Sequence, residues 1–396
     1  MERLVPARQR YDWGSLSSLP ELLGVKPDGR PWAELWFGTH PAGPTRLADG
    51  RTLSALIENE PERYLGADVV QRFGRQLPFL LKLIAPARTL SLQVHPSLEQ
   101  AAAGYAVEDA AGIPIDSPQR SFRDTNHKPE MVLALTEFEA VAGFRAPRRA
   151  AEVLVDLEAP VARRMRRTLR RNPTRFGIRG AFTELVSAGT RPSAEEIDEL
   201  VQEMSWRLEQ GAATSAHAYR NAIAMARDFP GDPGVAAALL LNPVTLRPGE
   251  ALFIPAGAVH AYISGLGAEV MASSDNVLRA GLTSKHVDVP TMLSCVDYVA
   301  APPVRPAPEY LSRATRAYYA PVDDFELLVT RVIAEDGALP VPGRGARLLL
   351  AVDGAVTASA SGGSLCLERG QGAFVGADEK GLSAAGAGTL VQVDVP

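Results

Sequence analysis

The chain has 396 residues, 46% apolar and 22% charged, enough for two or three packed units at roughly 100 to 200 residues each. Its 41 basic and 46 acidic side chains leave a formal charge of −5, which excludes the strongly basic footprint of a nucleic-acid binder. The 2 cysteines, Cys295 and Cys366, lie far apart, which excludes a disulfide-built fold and a thiolate zinc site and suits a reducing, cytoplasmic compartment. No run approaches the roughly 18 apolar residues of a membrane span, and the first residues lack signal-peptide organisation.

From residue 1 to about 145, Pro and Gly punctuate short apolar runs at 33–37, 77–84 and 89–95, which predicts strands. In the last run Leu90, Leu92 and Val94 alternate with Thr89, Ser91, Gln93 and His95. Period two therefore puts Gln93 and His95 on one face. A second strand is predicted after Pro129, with Lys128 and Glu130 on one face and Met131, Leu133 and Leu135 on the other. Between about 147 and 238 the composition turns to Ala, Arg, Glu and Leu, and helices are expected. Ser193 and Glu196 form a capping box ahead of Ile197, Leu200, Val201 and Met204 at helical spacing. The arginines at 163, 164, 166, 167, 170 and 171 read as a solvated helix face.

Strand patterning returns after Leu241. A strand, a turn at Pro255, Ala256 and Gly257, and a second strand carry His260 and Tyr262. A short helix is predicted over 289–298, and the Pro-rich stretch 300–308 is a domain joint. Residues 246–256 and 367–377 share Leu, Gly, Phe, an aliphatic residue and Ala at identical offsets, a faint internal repeat pointing to two related barrels. Gly381 stands in the second where His260 stands in the first. The predicted fold is mainly β with an α-helical insertion, built of jelly-roll or cupin-type double-stranded β-helix barrels. Residues 1–146 and 239–300 form the central catalytic unit, 147–238 a helical unit, and 301–396 a C-terminal β unit without metal ligands.

Gln93, His95, Glu130 and His260 together offer two nitrogens and two oxygens, a set suited to zinc or another divalent first-row metal with room for substrate. Glu269 and Asp275 follow as candidate proton-transfer groups, and Arg279 and Lys285 as cations for a phosphate or an oxyanion.

These segments, in this order, resemble the type I phosphomannose isomerases. The resemblance runs through YDWGS, AELWFGTHPAGPT, LPFLLKLI, LSLQVHP, NHKPEMVLALTEFEAVAGFR, PAGAVHAYISG and EVMASSDNVLRAGLTSKHVD. It covers most of residues 1–145 and 240–300. It implies a zinc-dependent, reversible interconversion of mannose 6-phosphate and fructose 6-phosphate through a cis-enediol(ate), with one zinc per chain held by Gln93, His95, Glu130 and His260. It implies Arg279, Glu269, His127, Lys128 and Asp275 as catalytic residues, Asp275 and His95 assisting ring opening, and Lys285, Ser91 and Trp13 on the substrate side. The expected partner is a small sugar phosphate, with no nucleic acid and no membrane, and the chain is expected to be a monomer. An isomerase of another or unphosphorylated aldose and a non-catalytic sugar-binding cupin remain the alternatives. His40, His217 and His286 are expected to be structural.

Overall fold

Alternating apolar residues build three antiparallel sheets in the computed structural model, which describes residues 1–396. One sheet of the central barrel has six strands, in the order Ala251–Ile254, Glu130–Ala134, Gly267–Ala272, Phe79–Ile84, Glu34–Phe37 and Ala7–Gln9. The other has five: Leu278–Gly281, Leu92–Val94, His260–Ser264, Phe138–Phe144 and Leu241–Leu246. Side chains alternate across each strand, so each sheet turns one face inward and one outward. Ile84, Val132, Phe138, Val244, Leu252 and Tyr262 fill the space between them. Two sheets closed around one interior make the expected cupin-like barrel.

The outer faces are covered too. Leu92, Val94, Val141 and Leu278 of the five-stranded sheet, with Val259 just ahead of it, pack against the helical unit. There the capping box forms as read from the sequence, and helix Ala194–Glu209 buries Ile197, Leu200 and Met204. Helix Pro160–Arg171 buries Val161, Ala162, Met165 and Leu169. Arg163, Arg167, Arg170 and Arg171 are exposed, as expected. Arg164 instead pairs with Glu184 and Glu196, and Arg166 donates to the Leu154 carbonyl. On the opposite side, Leu35, Leu81, Leu83, Met131 and Leu133 of the six-stranded sheet meet Leu348, Leu350, Val391 and Val393 of the C-terminal sheet.

The internal repeat is structural. Gly249 and Gly370, at φ 86° and 82°, take the left-handed conformation that glycine adopts without strain. Each leads into a short strand, Ala251–Ile254 and Gly372–Val375. The predicted helix is Val289–Cys295, and the 300–308 joint meets the barrel through the bridge Phe253 to Val304 and through hydrogen bonds from Asn242 to the Ala301 carbonyl and from Arg305 to the Thr245 carbonyl. One boundary needs correction. The expectation put all of residues 1–146 in the central unit, but Glu2–Val5 pairs antiparallel with Gly372–Val375, inside the C-terminal sheet. Leu4 joins the apolar layer between the two barrels, and a local pattern does not encode a partner strand at the far end of the chain. No helix is long and apolar enough to cross a membrane.

Candidate metal centre and active site

The metal donors come from both sheets of the barrel. Register places His260 opposite Gln93, and Gln93 opposite Arg279, in the five-stranded sheet. Glu130 begins its strand in the six-stranded sheet, just after Pro129. The turn at Gly257 fixes the meeting point, because its N–H donates to the His95 carbonyl at 2.9 Å. His95, Glu130 and His260 are buried, with one donor atom from each lying within 4.8 Å of the others.

The hydrogen bonds set the chemistry of these atoms. His95 Nδ1 lies 2.7 Å from the Asn276 carbonyl, and His260 Nδ1 lies 3.0 Å from the Ala258 carbonyl. A carbonyl only accepts, so both Nδ1 atoms carry the proton and both Nε2 lone pairs face the centre. Each Nε2 is 3.3 Å from an oxygen of Glu130. His95 Nε2 and Glu130 Oε2 have no hydrogen-bond partner. Burial holds the His95 imidazole down to about 4, in its neutral, lone-pair form. Burial alone would raise the Glu130 carboxyl, but Lys128 and His95 beside it hold it well below the usual carboxylate range. The Gln93 amide nitrogen is 3.2 Å from His260 Nε2, to which its N–H donates; turned about its last bond, the amide would present its oxygen there as a fourth donor. Buried lone pairs converging without a hydrogen between them are costly unless a cation sits among them. The donor set therefore fits a divalent metal.

Beside this centre the six-stranded sheet carries a buried charge network. Glu269 faces Lys82 across the ladder, with Lys82 Nζ 3.2 Å from Glu269 and 3.5 Å from Glu34. Burial raises the Glu269 carboxyl. Burial would lower the Lys82 ammonium, but the two carboxylates overcome it and the group is raised. The Tyr262 hydroxyl is buried with no hydrogen-bond partner.

The third wall is the segment between Ser273 and Lys285. The fully buried Asn276 side chain accepts from the N–H groups of Arg123 and Asp124 at 2.7 and 3.3 Å and donates to the Asn126 carbonyl at 2.8 Å. That clamp ties the loop ahead of Lys128 to the one carrying Asp275. Burial, and then the charge of Arg123, lowers the Arg279 guanidinium. Burial lowers Lys285 too, with Arg279 and Arg123 adding to it. Three mutually repelling cations at one place favour a bound anion. Leu282, at φ 53° and fully buried, turns the chain between Arg279 and Lys285.

The structure thus brings together Gln93, His95, Lys128, Glu130, His260 and Arg279, with Lys128 Nζ 3.1 Å from Glu130. Trp13 packs against the barrel interior, and Ser91 is half-buried ahead of Gln93. His127 is directed to the C-terminal unit, its Nε2 2.9 Å from Asp324. Sequence reasoning missed Glu34, Lys82, Arg123, Asn276 and His40. Lys82 reads locally as part of a wholly apolar strand, and only the register shows that its face is the interior.

A family model for the catalytic domain of type I phosphomannose isomerase matches residues 1–147. The chain is 36% identical to mannose-6-phosphate isomerase of Salmonella typhimurium, over 99% of both chains. The chain belongs to the type I phosphomannose isomerase family. The Homo sapiens mannose-6-phosphate isomerase is 32% identical, over 94% of this chain and 92% of that one. Among solved structures, a mannose 6-phosphate isomerase bound with zinc and yttrium matches with a TM-score of 0.89 at 35% identity, covering 100% of this chain and 99% of the other. The Salmonella typhimurium enzyme bound to its substrate F6P and zinc gives 0.89 and 35%, with the same coverage. Family membership makes the chain an isomerase, as the motifs implied.

Proposed function

We propose that this chain interconverts mannose 6-phosphate and fructose 6-phosphate through a cis-enediol(ate), with zinc bound at Gln93, His95, Glu130 and His260. The observation that carries the reading is the buried convergence of lone pairs from two sheets, next to a carboxyl raised by burial and a cluster of cations. Bound there, zinc would supply Lewis-acid polarisation of the sugar oxygens.

The residues divide the remaining work. Moving the carbonyl from carbon 1 to carbon 2 requires taking a proton from carbon 2 and returning it to carbon 1, while the proton on the carbon 2 hydroxyl passes to the carbon 1 oxygen. Glu269, whose carboxyl is raised by burial, and His127, whose imidazole reaches Asp324, are the candidate carriers. Negative charge develops on two adjacent oxygens, and the Arg279 guanidinium stabilises it more than it stabilises the neutral ground state. Lys128 adds charge beside Glu130, Lys285 offsets the phosphate, and Trp13 and Ser91 border the sugar. Ring opening falls to Asp275. His95 has one nitrogen on the Asn276 carbonyl and the other in the donor cluster, so none is free to carry a proton. The accompanying reading is a monomer in a reducing, cytoplasmic compartment, where the two free cysteines need no partner.

Metal-loaded protein assayed separately on mannose 6-phosphate, fructose 6-phosphate and mannose should turn over both esters, with mannose far behind. No conversion of either ester would overturn the reading in favour of another aldose or a sugar-binding cupin. Glu269→Gln combined with His127→Asn should cost about a hundredfold or more in kcat, and native turnover in that double variant would reject both carriers.

A further inference from the structure

We propose that His40 is a positioning residue for Asp275, holding one carboxylate oxygen from behind so that the other faces a hydroxyl of the sugar. The inference rests on the isomerase reading above and assigns a task to a histidine that local sequence leaves as structural.

His40 follows the strand Glu34–Phe37, and its side chain is 5% exposed while that of Asp275 is 43% exposed. The imidazole is therefore the buried partner and the carboxylate the exposed one. The tautomer follows from the backbone: the Ala42 N–H donates to His40 Nδ1 at 3.2 Å. With Nδ1 accepting, the proton of the neutral ring sits on Nε2, and Nε2 lies 3.1 Å from Asp275 Oδ1. The Trp36 ring meets the imidazole edge to face at 4.9 Å and 76°, which limits its rotation. Trp36 is held in turn by Nε1–H donation to Glu34 at 2.9 Å, and Glu34 is within 3.5 Å of Lys82.

Asp275 has no other side-chain partner within hydrogen-bonding distance, while its backbone N–H donates to Asp124 Oδ2 at 2.7 Å. One oxygen is thus taken by His40, and the other is available to substrate. Burial would raise the Asp275 carboxyl, but the His40 contact, with Lys128 and Arg123 nearby, holds it below its ordinary value. An ionised carboxylate held in one orientation accepts a sugar hydroxyl without first being ordered, which is where a positioned group gains over a mobile one. A carboxylate on an open wall with no such backing would sample several rotamers.

The test uses the metal-loaded enzyme with His40→Ala, His40→Phe, which keeps a ring of similar volume, and His40→Gln, whose amide N–H can reach the Nε2 position. Steady-state kinetics in both directions are read beside metal content. Loss of the 3.1 Å imidazole–carboxylate contact predicts a fall in kcat/KM of about tenfold to a hundredfold for Ala and Phe. Metal content should be unchanged, and Gln should restore most of the loss. In an Asp275→Ala background the His40 changes should cost little more, because no oxygen remains at position 275 for the imidazole to hold. Wild-type kinetics in His40→Phe, a Gln variant no better than Phe, or full additivity with Asp275→Ala would each overturn the proposal. Wild-type enzyme inert on both esters would instead sink the isomerase reading, so the two failures are distinguishable.

Discussion

Asn276 shows how much of this site depends on one amide. Its side chain clamps the loop from Arg123 to Asn126, and its own carbonyl fixes the His95 proton on Nδ1. Replacing it with Ala would leave buried N–H and carbonyl groups unpaired, at about 1–3 kcal/mol each. Asn276→Ala should therefore lose about 3 kcal/mol of stability by urea unfolding. It should also bind metal more weakly in a titration, since the backbone presenting the His95 partner loses its anchor. Unchanged metal affinity would show that the His95 ring is held by packing alone. At this scale the sequence was readable wherever period two applied: Gln93 and His95 share a face because they are two apart, and the structure puts that face inward. It was unreadable for His40 and Lys82, whose roles depend on what lies opposite.

The register of whole strands creates demands that single residues do not reveal. Strand Ser383–Asp394 pairs with Glu326–Val332 so that Asp394 stands opposite Glu326. Burial, then the Glu326 charge, pushes the Asp394 carboxyl well above its usual range, with Arg347 pulling the other way. Its pKa in the folded state thus exceeds the unfolded value near 4. The folded chain keeps a proton that the unfolded chain releases, so this group's contribution is complete below about pH 4 and declines as pH rises. Asp394→Asn, close to the neutral form in shape, should be more stable than wild type by on the order of 1 kcal/mol at neutral pH. That advantage should shrink toward pH 4 in urea unfolding, and an advantage independent of pH would contradict it. The helical elements were more legible, because the Ser193–Glu196 box and the buried Ile197, Leu200 and Met204 are contained within a few turns of chain.

Across the whole molecule the donor cluster joins the two sheets of the central barrel. Gln93 and His260 belong to the sheet backed by the helices, His95 follows directly on its strand Leu92–Val94, and Glu130 belongs to the sheet backed by the C-terminal unit. A metal bound there ties both halves and stabilises only the folded chain, by about 2.7 kcal/mol when its concentration is 100 times its Kd. Chelation should lower Tm and readdition of zinc should restore it. His260→Ala should lose most of that response, and a Tm indifferent to chelator would mean that no metal occupies the cluster in the folded protein. His127 and Asp324 add a direct contact between the central unit and a loop of the C-terminal one.

By itself the sequence determined the alternation of strands, the helical insertion, the two-barrel repeat and the His95, Glu130 and His260 that meet in the structure, because each is written in spacings of a few residues and in the chemistry of single side chains. Only the tertiary structure decided that Glu2–Val5 completes the C-terminal sheet, that Lys82 and Glu34 stand with Glu269, and that His40 backs Asp275. Those pairings join residues remote along the chain. What selects them is the burial of opposing faces, a property of the folded barrel and of no segment within it.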